Sequence, residues 1–276
     1  MTTRRVYTNM NPKIALRRDD SRKAYDLLAR FYDELTGHHD YERWLSALLP
    51  PLEGHGLGGS KLLDLGCGTG KSTMPMLRRG WSVTACDNST EMLAVLESKA
   101  GDRVRTEIAD ILALPALGQF DLVLCLGDVL NYCAADGRVV AALEGIERNL
   151  RPGGLVLFDL NTLLTYATLY SEHQVMTVDG HQLVWRGGGD GDPAAGGLFE
   201  SEHEVIEPDG TRAKTVHRQR HLDEETVRAA IEAAGLDCLD VFGQGFDAVL
   251  EQPLDERRHT KSIFIAKACQ TREERR

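Results

Sequence analysis

Apolar positions recur at three- and four-residue spacing near the start of the chain. Tyr25, Leu28, Tyr32 and Leu35 form one set and Tyr41, Leu45 and Leu48 another. That period predicts helix over residues 21–49, divided in two by Gly37. Pro50-Pro51 and the glycines at 54, 56, 58 and 59 predict a loop. From residue 61 the pattern changes to short, continuous apolar runs separated by helical ones. Strands are predicted over 61–65, 81–86, 103–109, 120–126 and 154–160, and helices over 72–79, 89–99 and 136–150. Continuous apolar strands alternating with helices are the pattern of a parallel sheet covered on both faces. The connections between neighbouring strands should be right-handed.

The alternation stops at Asn161. Phe199-Glu200-Ser201-Glu202-His203-Glu204-Val205 has period two, and turn signals occur at Asp179-Gly180, across 187–197 and at Pro208-Asp209-Gly210. Residues 161–222 therefore predict a small antiparallel sheet, inserted as a lid. Helix returns over 223–234, closed by Gly235, and the last strands fall at 236–242 and 262–268. The expected fold is α/β: a seven-stranded, mostly parallel sheet with helices on both faces plus the antiparallel insertion. The main domain comprises 21–160 and 223–269, with a flexible segment at 1–20 and a tail at 270–276. There is no internal repeat.

Composition narrows the function. With 276 residues, 42% of them hydrophobic, the chain can bury one α/β core and a small appendage. The net charge is -10, from 42 acidic and 32 basic residues, a poor footprint for neutralising many phosphates. No nucleic-acid partner is expected. No apolar run approaches the roughly 20 residues of a membrane span, so no membrane partner is expected either. Residues 1–20 are polar and basic without the apolar centre of a signal peptide. The six cysteines, at 67, 86, 125, 133, 238 and 269, contain no CxxC pair, so neither a metal site nor a disulfide framework is expected. A cytoplasmic location is the corresponding expectation; the choice between monomer and homodimer stays open.

The chemistry concentrates at Leu62-Leu63-Asp64-Leu65-Gly66-Cys67-Gly68-Thr69-Gly70-Lys71-Ser72, a strand running into a glycine-rich turn and then a helix. Glycines let the backbone turn tightly and approach a ligand. Gly70-Lys71-Ser72 has the ending of a phosphate-binding loop, but that motif needs glycine at 65, which is leucine. A dinucleotide fingerprint needs glycine at 71, which is lysine.

The run Asp64-Leu65-Gly66-Cys67-Gly68-Thr69-Gly70 closely resembles motif I of the class I (Rossmann-like) methyltransferases that use S-adenosylmethionine (SAM). The resemblance continues through Ala85-Cys86-Asp87-Asn88-Ser89, Ala109-Asp110-Ile111, Phe120-Asp121-Leu122-Val123-Leu124-Cys125 and Leu150-Arg151-Pro152-Gly153-Gly154. Asp128-Val129-Leu130-Asn131-Tyr132, Phe158-Asp159-Leu160-Asn161 and His217-Arg218-Gln219-Arg220 extend it, more loosely, to a small-molecule subgroup with a β-insertion after strand five. The resemblance implies SAM as cofactor and S-adenosylhomocysteine as product. Gly66, Cys67 and Gly68 would present backbone to the methionine part. Asp64 would order the loop or meet the amino group. Asp87 would accept the ribose hydroxyls. Asp110 and Ile111 would hold the adenine, with Asn88 and Met92 flanking. Tyr25, Arg30, Tyr32 and Trp44 would cover the cofactor and shape the acceptor pocket, although an amphipathic helix packing its tyrosines on the core reads equally well.

Methyl transfer is an in-line displacement, so the enzyme's main task is alignment and exclusion of water. The segment from Leu126 to Tyr132 falls where the family lines its acceptor pocket. Asn131, Tyr132 and Tyr32 are the positioning candidates, and His217 or His221 the candidate base. Arg218 and Arg220 offer a second reading, pairing across the sheet with Glu200, Glu202 and Glu204. The expected acceptor is a small molecule with an O, N or C nucleophile. A catalytically silent SAM-binding protein and an RNA methyltransferase are the alternatives.

Overall fold

The computed structural model describes residues 20–189 and 192–269, and the segments 1–19 and 270–276 expected to be flexible lie outside them. The chain opens with α1 (Asp20–Leu28), a 3-10 turn (Ala29–Phe31), α2 (Tyr32–Leu35) and α3 (Tyr41–Gly54). Then follow β1 (Lys61–Leu65), α4 (Thr73–Arg78), β2 (Ser82–Asp87), α5 (Thr90–Ala100), β3 (Arg105–Ile108) and β4 (Phe120–Cys125). The next elements are α6 (Val129–Ala135), α7 (Val139–Asn149), β5 (Leu150–Asn161) and α8 (Leu163–Thr168). A second sheet comprises β6 (His173–Val178), β7 (His181–Gly187), β8 (Leu198–Ile206) and β9 (Arg212–Arg220). The chain then returns through α9 (Glu224–Ala233), β10 (Leu236–Gln244), β11 (Leu250–Glu251) and β12 (Lys261–Ala268).

The main sheet runs in the order β11-β10-β12-β5-β4-β1-β2-β3. Strands β5, β4, β1, β2 and β3 are parallel, whereas β12 pairs antiparallel with β5 and with β10. Seven strands correspond to the expected sheet, and the two-residue β11 adds an eighth at the edge. Alternate strand residues feed two cores. Leu63, Val123, Val156 and Phe158 pack under α6, α7 and α9, with Leu143, Ile146 and Ile231. Leu62, Leu122, Leu155 and Leu157 pack under α3, α4 and α5, with Leu45, Met76 and Leu96. Burial on both faces explains why these strands read as continuous apolar runs. A third, smaller cluster joins Leu28 and Phe31 of the N-terminal helices to Leu183 and Val205 of the second sheet.

Tertiary packing overrode local signals in three places. Pro50 and Pro51 lie inside α3 rather than in a loop. They remove two backbone donors, yet Leu45, Leu48 and Leu52 are fully buried on the same helix, and this anchoring carries it through. The segment after β4 is itself helical as α6, so the helix expected over 136–150 starts only at Val139. The second sheet is preceded by α8 and a 3-10 turn (Leu169–Ser171), which period-two reading could not detect. The turn residues Asp179 and Gly180 both take positive φ and join β6 to β7 as a tight hairpin. Among the described residues no helix is long and apolar enough to cross a membrane.

Gly70 has φ +87, and a Cβ there would lie 2.3 Å from Cδ1 of the buried Leu96. Gly70→Ala combines unfavourable backbone conformation with overpacking and should cost about 1–3 kcal/mol. Urea denaturation of the two proteins checks this; equal midpoints and slopes would contradict it.

Candidate active site

Ligands of open parallel sheets bind beyond the carboxyl ends of the strands, and there the glycine turn is held by β2. Gly66 N and Cys67 N both donate to Cys86 O, at 2.8 and 3.1 Å. Gly68 N donates to Asp87 Oδ2 at 2.8 Å and Ser89 N to Asp87 Oδ1 at 2.9 Å. Asp87 thus fixes the turn and the start of α5 together. Burial lifts its carboxyl above the ordinary range, although the amides of Ser89 and Gly68 oppose the shift. Asp64 lies beneath the loop, 1% exposed, and accepts from Ser72 Oγ at 2.7 Å and Thr73 Oγ1 at 2.5 Å. Burial pushes it up to about 6 against those two hydroxyls. Of its two expected roles, ordering the loop is the one its contacts serve.

A cavity of ≈ 1100 Å³, counting its solvent-filled mouth, opens over this loop. Gly66, Cys67, Gly68 and Asp87 line it at β1 and β2. Asn88, Met92, Asp110 and Ile111 line it beyond β2 and β3. Leu126, Tyr132, Tyr25 and Tyr32 close it from the β4 side and from above. A Cβ on Gly68 would meet only Tyr32 Cε1 at 3.9 Å, so the loop faces open space where a ligand would lie.

Tyr25 and Tyr132 share a hydroxyl hydrogen bond of 2.9 Å, and Tyr132 Oη is 2.8 Å from His217 Nδ1. The Tyr25 and Tyr32 rings meet edge to face, with centroids 6.1 Å apart. Burial, then the charge of Asp128, raises the hydroxyl pKa of both Tyr132 and Tyr32. Both stay protonated at neutral pH. His217 is 2% exposed and sits behind Tyr132. Burial depresses its imidazole to about 4, although Asp128 opposes that.

Besides Asp64 beneath the loop and His217 behind Tyr132, four more expected site residues do not line the cavity. Arg30 pairs with Glu207 in the turn between β8 and β9 and sits 4.5 Å over the Phe31 ring. Trp44 donates through Nε1 to Gln244 Oε1 at 2.7 Å, and its neighbour Tyr41 lines the cavity in its place. Asn131 is fully buried as a staple: Nδ2 donates to Arg220 O at 2.9 Å, and Oδ1 accepts from Asn161 N at 3.0 Å. His221, fully buried, accepts from Gly196 N at 3.1 Å and contacts Glu256 at 2.5 Å. A buried polar side chain must find partners, and these found theirs between elements rather than in the cavity. Arg218 pairs with Glu200, whereas Arg220 donates to Gly196 O at 2.9 Å.

The sequence reading missed Tyr41 and Lys71, which line the cavity. It also missed the ion group beside Tyr132, of which Asp159 is fully buried and Asp128 and Lys261 half-buried. Lys261 Nζ lies 2.8 Å from both Asp128 Oδ1 and Asp159 Oδ2. Asp159 accepts from Gly127 N at 2.6 Å and Asp128 N at 3.2 Å, and Gln219 of β9 donates to Asp128. Asp128, at φ 56, is one of three non-glycine residues with positive φ among those described. An unusual backbone at a strand end was the available signal, but it is visible only in coordinates.

Residues 62–154 match the family described as "Methyltransferase domain". The putative methyltransferase YqeM of Bacillus subtilis (strain 168) is 30% identical over 153 residues, which cover 54% of this chain and 60% of that protein. A SAM-dependent methyltransferase from Clostridium acetobutylicum ATCC 824 superposes with TM-score 0.72 at 22% identity, covering 89% of this chain and 99% of that one. CalS10, a SAM-bound amino pentose methyltransferase from Micromonospora echinaspora, gives TM-score 0.60 at 17% identity, covering 86% and 96%. These solved structures share the fold.

Acid should destabilise the protein partly through His217. Above its ordinary value of 6.5 the imidazole is neutral whether folded or not. Between 6.5 and about 4 the unfolded chain takes up a proton that the native site refuses, so this contribution to stability is lost as pH falls. It amounts to on the order of 2 kcal/mol by pH 5. Asp64 acts in the opposite sense, so the comparison must be made within one position. His217→Gln should lose less stability than the parent between pH 7 and pH 5; identical losses in chemical denaturation would contradict the burial argument.

Proposed function

We propose that this chain, which carries a methyltransferase domain on the class I fold, transfers the methyl group of SAM to a small-molecule acceptor. One observation carries the reading. A single cavity joins the glycine loop, Asp87 and Asp110 to a wall of tyrosines at 25, 32, 41 and 132. When bound, SAM supplies a methyl on a positively charged sulfur, ready for displacement.

The residues present fit such a ligand. Backbone at Gly66–Gly68 would face its amino-acid part, Asp87 would accept from the ribose, and Asp110 with Ile111 and Met92 would hold the adenine. Adjacent strands lie about 4.8 Å apart. The path from β3 across β2 and β1 to β4 therefore spans roughly 14 Å, suited to an extended nucleoside with an amino-acid tail.

On the acceptor side, Tyr132 and Tyr32 position rather than abstract a proton, because their hydroxyls are held protonated. His217 orients the Tyr132 hydroxyl through Nδ1 and is too weak a base to take a proton at neutral pH. The second sheet and the N-terminal helices would act together as the lid that keeps water from the acceptor. The acidic balance of the chain favours a small molecule over RNA. The amino pentose substrate named for CalS10 makes amino sugars a first acceptor set to try.

Asp87→Ala should weaken S-adenosylhomocysteine binding by about 1.5–3 kcal/mol, the loss of charge-assisted hydrogen bonds; unchanged affinity in calorimetry would remove Asp87 from the cofactor site. Methyl transfer from labelled SAM to a panel of amino sugars and other small acceptors tests the activity itself. Binding without transfer to any member would favour the silent binding protein. With an acceptor in hand, Tyr132→Phe should lower turnover about tenfold or more while S-adenosylhomocysteine affinity stays within twofold. Wild-type turnover would show that the acceptor lies elsewhere.

A further inference from the structure

The cavity has an uneven charge. Asp87, Asp110 and Asp136 put three carboxylates on its wall, and Lys71 is the only lysine or arginine lining it among the described residues. Lys71 follows the glycine loop directly. Its ammonium donates to Thr36 Oγ1 at 2.9 Å and to the Thr36 carbonyl, and it stands 5.6 Å from the Tyr41 ring centroid. Those two bonds use two of its three protons. The nearby Asp33 is taken up by Lys99 and by Thr69 Oγ1. The ammonium is therefore held in place at the cavity wall with donor capacity left over.

Its position fits one part of the ligand. Asp110 and Asp87 stand at the ends of β3 and β2, the end assigned to adenine and ribose. Lys71 lies toward β1 and β4, where the Tyr41 hydroxyl approaches Gly127, a Cβ there falling 3.4 Å from it. That is the end where an amino-acid tail would lie. A carboxylate withdrawn from water needs a cation or several donors. Arg30, the cation expected over the cofactor, is engaged with Glu207.

We propose that Lys71 pairs with the carboxylate of the cofactor's amino-acid tail and so selects ligands that carry one. The assignment rests on the proposed SAM site and adds the residue that reads the acid group. The pairing is a charge-assisted hydrogen bond from Nζ. Thr36, at the end of α2, holds the lysine in position, which links the N-terminal helices to recognition of the tail.

The test compares two probes that differ in one group, S-adenosylhomocysteine and its decarboxylated analogue, by calorimetry on the full chain. The parent protein should prefer S-adenosylhomocysteine by about 10- to 100-fold. Lys71→Met should lose that preference, its affinity for the analogue staying within about twofold, and Lys71→Arg should keep most of it. Thermal melts check folding, with Lys71→Gln as the substitute if the methionine variant does not fold. A parent that binds both probes equally, or a variant that retains the preference, overturns the assignment to Lys71. Failure of the parent to bind either probe would instead overturn the SAM site itself.

Discussion

The ion group of Asp159, Lys261 and Asp128 is the constraint on which the tyrosine end of the cavity depends. The Asp159 side chain is fully buried at the end of β5, and with Lys261 of β12 it ties the central parallel strands to the antiparallel one. The same carboxylate holds the amides of Gly127 and Asp128, which forces the chain to turn sharply after β4 into α6. Asp128 then takes Gln219 from β9, so the second sheet is fixed to the same point. Burial disfavours a charged lysine, but the two carboxylates outweigh it and raise the Lys261 pKa. Removing Lys261 would leave the fully buried Asp159 carboxylate without its cation, a loss that typically costs about 3–5 kcal/mol. The group thus gives position more than net stability, and what it positions is the turn carrying Leu126 and Tyr132.

The glycine-loop half of the cavity, where the cofactor is proposed to lie, was legible in the sequence because its information is local. Gly66 directly follows β1, Asp87 is the last residue of β2 and Asp110 lies two residues after β3, so order along the chain maps directly onto one edge of the sheet. The acceptor half was not, because its partners come from distant segments. Tyr132 meets His217 across 85 positions and Tyr25 across 107. Asn131 and Tyr132 illustrate the difference. They are adjacent in one helix and were read alike, yet one turns into the protein to join Arg220 and Asn161 while the other faces the cavity. Which face of a two-turn helix is inward depends on what packs there. Pro50 and Pro51 carry the same lesson for secondary structure, since a local helix breaker yields to a buried leucine stripe.

The electrostatics of the cavity divide it. At one end carboxylates and loop amides provide charge and directed hydrogen bonds. At the other, four tyrosines provide a polar but uncharged surface, backed by the neutral His217 behind Tyr132 and by the Asp128 group. Such a wall cannot readily accept a proton from the acceptor, since Tyr132 and Tyr32 already hold theirs and His217 resists a second one. The proposed methyl transfer tolerates this well, because a sulfonium leaves without a proton donor and a neutral amine acceptor needs no base to attack. Rate enhancement would then come mainly from alignment and from keeping water out, to which the half-buried tyrosine rings lining the cavity are suited.

The N-terminal helices link the two ends. Toward the cofactor, Asp26 accepts from Ser89 Oγ at 2.6 Å, Asp33 from Thr69 Oγ1 at 2.6 Å, and Thr36 holds Lys71. Three hydrogen-bonded contacts thus reach the very loops that carry Gly68 and Asp87. Toward the acceptor, Leu28 and Phe31 pack on Leu183 and Val205, and the Tyr25 ring lies 5.1 Å from that of His217. One face is polar and specific, the other apolar and tolerant of small shifts. The helices therefore cannot leave the second sheet without straining the loop contacts, nor leave the loop without uncovering the third core. Segments more than 150 residues apart in sequence share one small core, and the covering of the tyrosine end of the cavity becomes a property of both together rather than of either alone.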